Sequence, residues 1–184
     1  MNCLKSVSIR KNHDHSKLNL LSIGTMIFCF VLSFLFFSLL GPEVSYYDLH
    51  VLYALMIGIA LIPIHLSLHL FPLWFRGYKA YPRRQYIRKR KTYYITFFCK
   101  NPVPRNVYLI ALLFPTIVLT GGGLVLALLL PAFMPYILLL ASANAGLAVF
   151  DYRCVKEVVS APKHAYIEGD HHNFDIITNE PASA

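Results

Sequence analysis

The chain has 184 residues, 57% of them hydrophobic, and a mean hydropathy of +0.53, a balance that leaves too little polar surface for a water-soluble globule. Its formal charge of +8 does not mark a nucleic-acid partner, because the basic residues are distributed around the apolar runs. The four cysteines (Cys3, Cys29, Cys99 and Cys154) are scattered with no C-x-x-C pairing, which argues against both a disulfide framework and a thiolate zinc site.

Apolar runs of about 20 residues are long enough to cross a hydrocarbon layer of ~30 Å as helix. Four are present, at 19–41, 50–72, 107–130 and 131–150, and they predict an all-α polytopic membrane protein with four transmembrane helices. The first follows a basic segment, 1–18. It exceeds a signal-peptide core, and "SLLGPEVS" has no small-x-small cleavage site, so it is read as a retained span. Of the 17 Lys and Arg, 4 precede the first span, 10 lie between the second and third, and 3 follow the fourth. The connection "GPEVSYYD" between the first two has none. The positive-inside rule then puts both termini and the loop 73–106 in the cytoplasm, with 19–150 as the membrane domain. A second role for "RRQYIRKRK" is contact with anionic lipid heads.

The second span ends in "IPIHLSLHLFPLW", with Pro63 two residues before His65. Proline removes a helical hydrogen bond and frees the Ile59 carbonyl, which predicts a kink just above the histidine. Beyond it, "KTYYITFFC" (91–99) is rich in β-branched and aromatic residues, and reads as a strand pairing with "YKAYPRRQYI" in a short cytoplasmic hairpin-like loop. The third span carries Pro115 and the triplet Gly121–Gly123, which predict bending and close packing. After the fourth, 151–184 forms a small cytoplasmic tail. Its first residues continue the helix as far as Pro162, and "HAYIEGD" and "NFDII" are candidate strands.

His65 and His69 are spaced i, i+4, so on a helix they project from one face and can share a metal ion. Asp151, at the cytoplasmic end of the fourth span, falls at a similar depth, and Asn144 lies seven residues earlier on nearly the same face. Together His65, His69 and Asp151 make a two-nitrogen, one-oxygen set with one position open, the pattern of catalytic zinc, with Asn144 in a supporting role. Plainer readings stay open. Histidines in a span serve as hydrogen-bonding glue, Asn144 can bond a neighbouring helix, and Asp151 can pair with Arg153. The adjacent pair His171 and His172, beside Asp170, fits solvation better than ligation.

The sequence resembles the small zincin-type peptidases related to the membrane-embedded site-2 zinc metalloproteases. The resemblance rests on "HLSLH", the strand-like loop leading into "PVPRNVYLIALLFP", "NAGLAVFD" and "APKHAYIEGDHHNFDII", and covers roughly 60–184. It implies a bound zinc and a membrane-protein substrate or partner. The family pattern also implies Glu at position 66, where this chain has Leu66, a side chain that cannot take a proton from water. Phe150 stands where a small residue is expected. The sequence therefore names no catalytic residue, and it points to a base-lacking zincin pseudoenzyme that keeps a bilayer setting, a partner and zinc. The alternatives are an active membrane-embedded zinc metalloprotease and a metal transporter or sensor.

Overall fold

The structure, a computed structural model, describes residues 2–8, 15–40, 45–87, 92–170 and 173–178. The basic run 88–91, the pair His171 and His172, and the last six residues of the tail lie outside the described residues. The chain divides into two compact units, one of residues 1–15, 66–114 and 151–184, the other of 16–65 and 115–150.

Five helices follow the apolar runs: α1 (His15–Leu40), α2 (Val51–Phe75), α3 (Arg105–Pro115), α4 (Gly122–Leu129) and α5 (Met134–Val159). A π-turn, Thr116–Gly121, joins α3 to α4 without a break in the helical course. Four stretches are long and apolar enough to cross a membrane: Ser16–Leu40, Val51–Phe75, Arg105–Leu129 and Pro131–Val159. They coincide with the four predicted runs, the last extending further into the polar tail. α2 stays one helical element through Pro63 and Pro72.

The first unit is built on a sheet. The predicted hairpin exists as β2 (Ala80–Ile87) and β3 (Thr92–Pro104), with Ala80 opposite Cys99. It is the outer part of a five-stranded antiparallel sheet rather than an isolated loop. β4 (Tyr166–Asp170) and β5 (Asn173–Thr178) are the two candidate strands of the tail, and β1 (Asn2–Ser8) comes from the N-terminal segment, for which no strand was expected. The strand order is β1-β5-β4-β3-β2. β1 pairs with β5, Val7 opposite Phe174, so the two ends of the chain are hydrogen-bonded to each other. A register shift between Cys99 and Val103 bulges β3 where it passes β4. Gly169 takes φ +120, and a Cβ there would lie 2.7 Å from the Asn173 carbonyl oxygen, so this position of β4, paired with Phe174 of β5, requires glycine.

One face of the sheet is dry. Val7, Phe97, Val103, Ile167, Phe174 and Ile176 are buried with Leu70, Leu73, Tyr108, Leu112, Cys154 and Val158 from the helices of the same unit. Arg105 closes the far end of α5, donating from Nε to the Val158 carbonyl at 3.0 Å and from Nη2 to that of Val159 at 2.8 Å. A cation at a helix C-terminus satisfies carbonyls that have no partner within the helix.

The second unit is helical. Phe30, Phe34 and Phe37 of α1 pack on Ala127, Met134 and Leu138. Much of its apolar surface is bare, with Val51 81% and Leu39 74% exposed. α1 approaches α5 closely at Gly146, whose carbonyl accepts from Ser22 Oγ at 2.7 Å. A Cβ on Gly146 would lie 2.9 Å from the Ser22 carbonyl oxygen, so the small residue sets how near the two helices come. Gly146→Ala is expected to destabilise this unit by about 1–3 kcal/mol, the usual range for overpacking. The check is the thermal unfolding midpoint in detergent, which should fall relative to wild type.

Candidate metal centre

The two histidines lie on one uninterrupted helix, α2, one turn apart, and both are buried. Each has its Nδ1 within hydrogen-bond distance of a carbonyl-type oxygen, and those partners decide the chemistry of the rings.

In the first unit, His69 Nδ1 lies 2.8 Å from the backbone oxygen of Ala111. A backbone carbonyl can only accept, so Nδ1 carries the proton and donates. The Ala111 carbonyl is available for a local reason. In an α-helix it would accept from the amide of residue 115, which is proline and has no N–H. The ring is further held by Phe97, at a centroid distance of 5.2 Å. With its proton on Nδ1, the neutral imidazole presents a lone pair at Nε2, and that atom lies 3.4 Å from Asp151 Oδ1. Both side chains are almost wholly buried. Two electron-rich atoms at that distance call for a positive charge, either a second ring proton or a metal ion.

In the second unit, His65 Nδ1 lies 2.8 Å from Asn144 Oδ1. The orientation of the Asn144 amide is fixed by its other end, where Nδ2 donates to the Pro115 carbonyl at 3.2 Å and to Thr120 Oγ1 at 2.9 Å. Because the Pro115 oxygen can only accept, the nitrogen must face it, and Oδ1 must face the histidine. His65 Nδ1 is therefore a donor as well. Its Nε2 has the lone pair.

The residues predicted from sequence thus fall into two pairs, His69 with its Nε2 3.4 Å from Asp151 Oδ1, and His65 hydrogen-bonded to Asn144. His65, His69 and Asp151 are a group, among the described residues, whose donor atoms could hold a metal ion. The donor set fits zinc: two imidazoles, each held at Nδ1 by an oxygen acceptor, and one carboxylate. Leu66 sits between the histidines in sequence and packs against the apolar core of the first unit.

Sequence reasoning missed the partners that orient the rings. Ala111 contributes only its backbone, so no side chain could have announced it, although Pro115 four residues later was a signal that its carbonyl is free. Thr120 gave no sign, because its position depends on the π-turn.

Residues 58–166, more than half of the chain, match the family described as "putative zincin peptidase". The chain belongs to that family. The matched stretch contains both histidines, Leu66, Asn144 and Asp151, whereas β1 and β5 lie outside it. No curated protein and no solved structure matches the chain.

The cysteines of this zincin homologue stand apart from the site's chemistry. Cys99 and Cys154 are core residues of the first unit, and Cys3 is exposed. Burial, with a smaller contribution from the negative charge of Asp170, pushes the Cys99 thiol up to about 12. The thiolate is the reactive form, so Cys99 stays protonated and inert near neutrality. Maleimide treatment of native protein at pH 8 is expected to label Cys3 and leave Cys99 unmodified until the protein is denatured, as read by peptide mass spectrometry.

Proposed function

We propose that this zincin homologue is a multi-pass membrane protein that holds one zinc ion through Nε2 of His65, Nε2 of His69 and the Asp151 carboxylate, and that it is a base-lacking relative of the site-2 metalloproteases. The observation that carries the reading is the commitment of both Nδ1 atoms to oxygen acceptors, which leaves both Nε2 atoms as ligands on one helical face. The Asp151 oxygen beside His69 Nε2 supports it from the carboxylate side. Bound zinc would supply Lewis acidity toward a carbonyl oxygen.

The residues of the chain do the rest. Asn144 and the Ala111 carbonyl hold the rings in one tautomer, so the ligands are formed before metal arrives. Asp151 offsets the charge of the ion in a buried setting, where an uncompensated cation is costly. Leu66 has no group that accepts a proton, and its packing against the core keeps that side apolar. Without the glutamate of the family pattern, proton abstraction loses a contribution of about 10²–10⁴-fold. The retained role is metal-dependent binding of a membrane-protein partner.

The four long apolar helices support the membrane setting, and the placement of Lys and Arg supports an orientation with both termini and the 73–106 loop in the cytoplasm.

Elemental mass spectrometry of protein purified in detergent after zinc-replete expression tests the site. About one zinc per chain is expected in wild type and none in the His65→Ala, His69→Ala double variant. Absence of metal from wild type would remove the reading. For catalysis, the wild type is expected to leave a membrane-anchored peptide intact. Cleavage that disappears in the double variant would show a working protease instead.

A further inference from the structure

The π-turn between α3 and α4 has a geometric consequence. In an α-helix, residues five apart point about 140° away from each other, at 100° per residue. In a π-turn the hydrogen bonds run i to i+5, so residues five apart come round to the same side. Residues 115 and 120 are five apart, Pro115 capping the start of this turn and Thr120 lying within it. One side-chain nitrogen, Asn144 Nδ2, reaches both the Pro115 carbonyl oxygen at 3.2 Å and Thr120 Oγ1 at 2.9 Å. Its two hydrogens are thereby both used, and Oδ1 is left for His65.

Thr120 is itself anchored, since its hydroxyl donates to the Ala141 carbonyl at 3.2 Å. With that proton committed, its oxygen lone pairs face Asn144, and it acts toward the amide only as an acceptor. The hydroxyl therefore enforces a direction along the whole series. Ala141 accepts from Thr120, Thr120 accepts from Asn144, and Asn144 accepts from His65. Thr120 also lies in the wall of an apolar cavity of about 590 Å³, with Leu124, Leu128 and Ser142.

We propose that Thr120 is a positioning residue for His65: through Asn144 it fixes the ring as the Nδ1–H tautomer, and the π-turn is the device that brings it into reach. Its consequence for metal binding rests on the zinc reading above; its consequence for the tautomer does not. A regular helix through this segment would rotate Thr120 off the face of Pro115, leaving the amide with one acceptor instead of two.

The test is ¹⁵N NMR of histidine-labelled, metal-stripped full-length protein in detergent, comparing wild type with Thr120→Val and Thr120→Ser. Valine keeps the shape of threonine and removes the acceptor; serine keeps the acceptor. In wild type and Thr120→Ser, His65 is expected to be Nδ1-protonated alone. In Thr120→Val a measurable share of the Nε2–H form is expected, with His69 unchanged as a control for the fold. Zinc affinity by chelator competition should fall about tenfold in the valine variant and recover in the serine variant, the lower end of what an outer partner of a metal ligand contributes.

A single Nδ1–H tautomer in all three proteins would overturn the proposal, and so would equal shifts in the valine and serine variants. If the valine variant loses its fold, as judged by the His69 signal, Thr120→Ala takes its place, and the same comparison with serine decides. A tautomer shift in protein that binds no zinc would leave the positioning role standing while the zinc reading falls.

Discussion

A buried ring N–H must find an acceptor, and a helical backbone has almost none to offer, because its carbonyls already serve the next turn. The candidate centre depends on how this chain meets that constraint. Pro115 withholds the amide that the Ala111 carbonyl would have met, and His69 takes the vacancy at 2.8 Å. The carbonyl of the same proline accepts from Asn144, which makes the amide face His65 with its oxygen. One residue without an N–H therefore underlies the tautomers of both histidines. The π-turn that begins immediately after it adds Thr120 as a second acceptor for Asn144. Such turns are concentrated at sites where a helix must aim a side chain off its regular register.

Much of this was legible in the sequence, for identifiable reasons. Helices long enough to cross a bilayer announce themselves by unbroken apolar length, a signal that needs no tertiary context. The strand β3 was legible from "TYYITFFC", whose β-branched and aromatic residues fit a pleated surface. The i, i+4 histidines were legible because helical periodicity converts spacing directly into a shared face. β1 was not. "NCLKSVS" is short and lacks a regular apolar–polar alternation, and it is a strand only because β5, some 170 residues away, provides its edge. Non-local pairing of that kind leaves little trace in either segment alone. The acceptors of the imidazole protons were hidden for another reason: one is a backbone atom, and the other reaches its place only through a change of helical register.

The sheet and the metal-ligand helices also meet in one physical requirement within the first unit. Phe97, on the dry face of the sheet, lies against the His69 ring and also against Tyr108 on α3. Tyr108 lies one turn before Ala111, whose carbonyl takes the His69 proton. The sheet thus helps to seal the imidazole from water. Sealing strengthens every electrostatic interaction inside, including any mismatch between the Nε2 lone pair and the Asp151 carboxylate.

On the zinc reading, a metal ion between His69 Nε2 and the Asp151 carboxylate would supply the positive charge that this contact calls for. Ligands in this arrangement do two separate things for a zincin fold. They serve metal chemistry, and they bring together buried groups that a positive charge stabilises. Metal binding to a site that exists only in the folded chain adds its binding free energy to folding. Leu66 takes part in neither role through its side-chain chemistry, and it packs against the core of the first unit. Losing His69 or Asp151 would affect both, because it would leave the other group buried with no compensating charge. On the zinc reading, His65, His69 and Asp151 therefore have a physical role in the folded chain that does not depend on proton transfer.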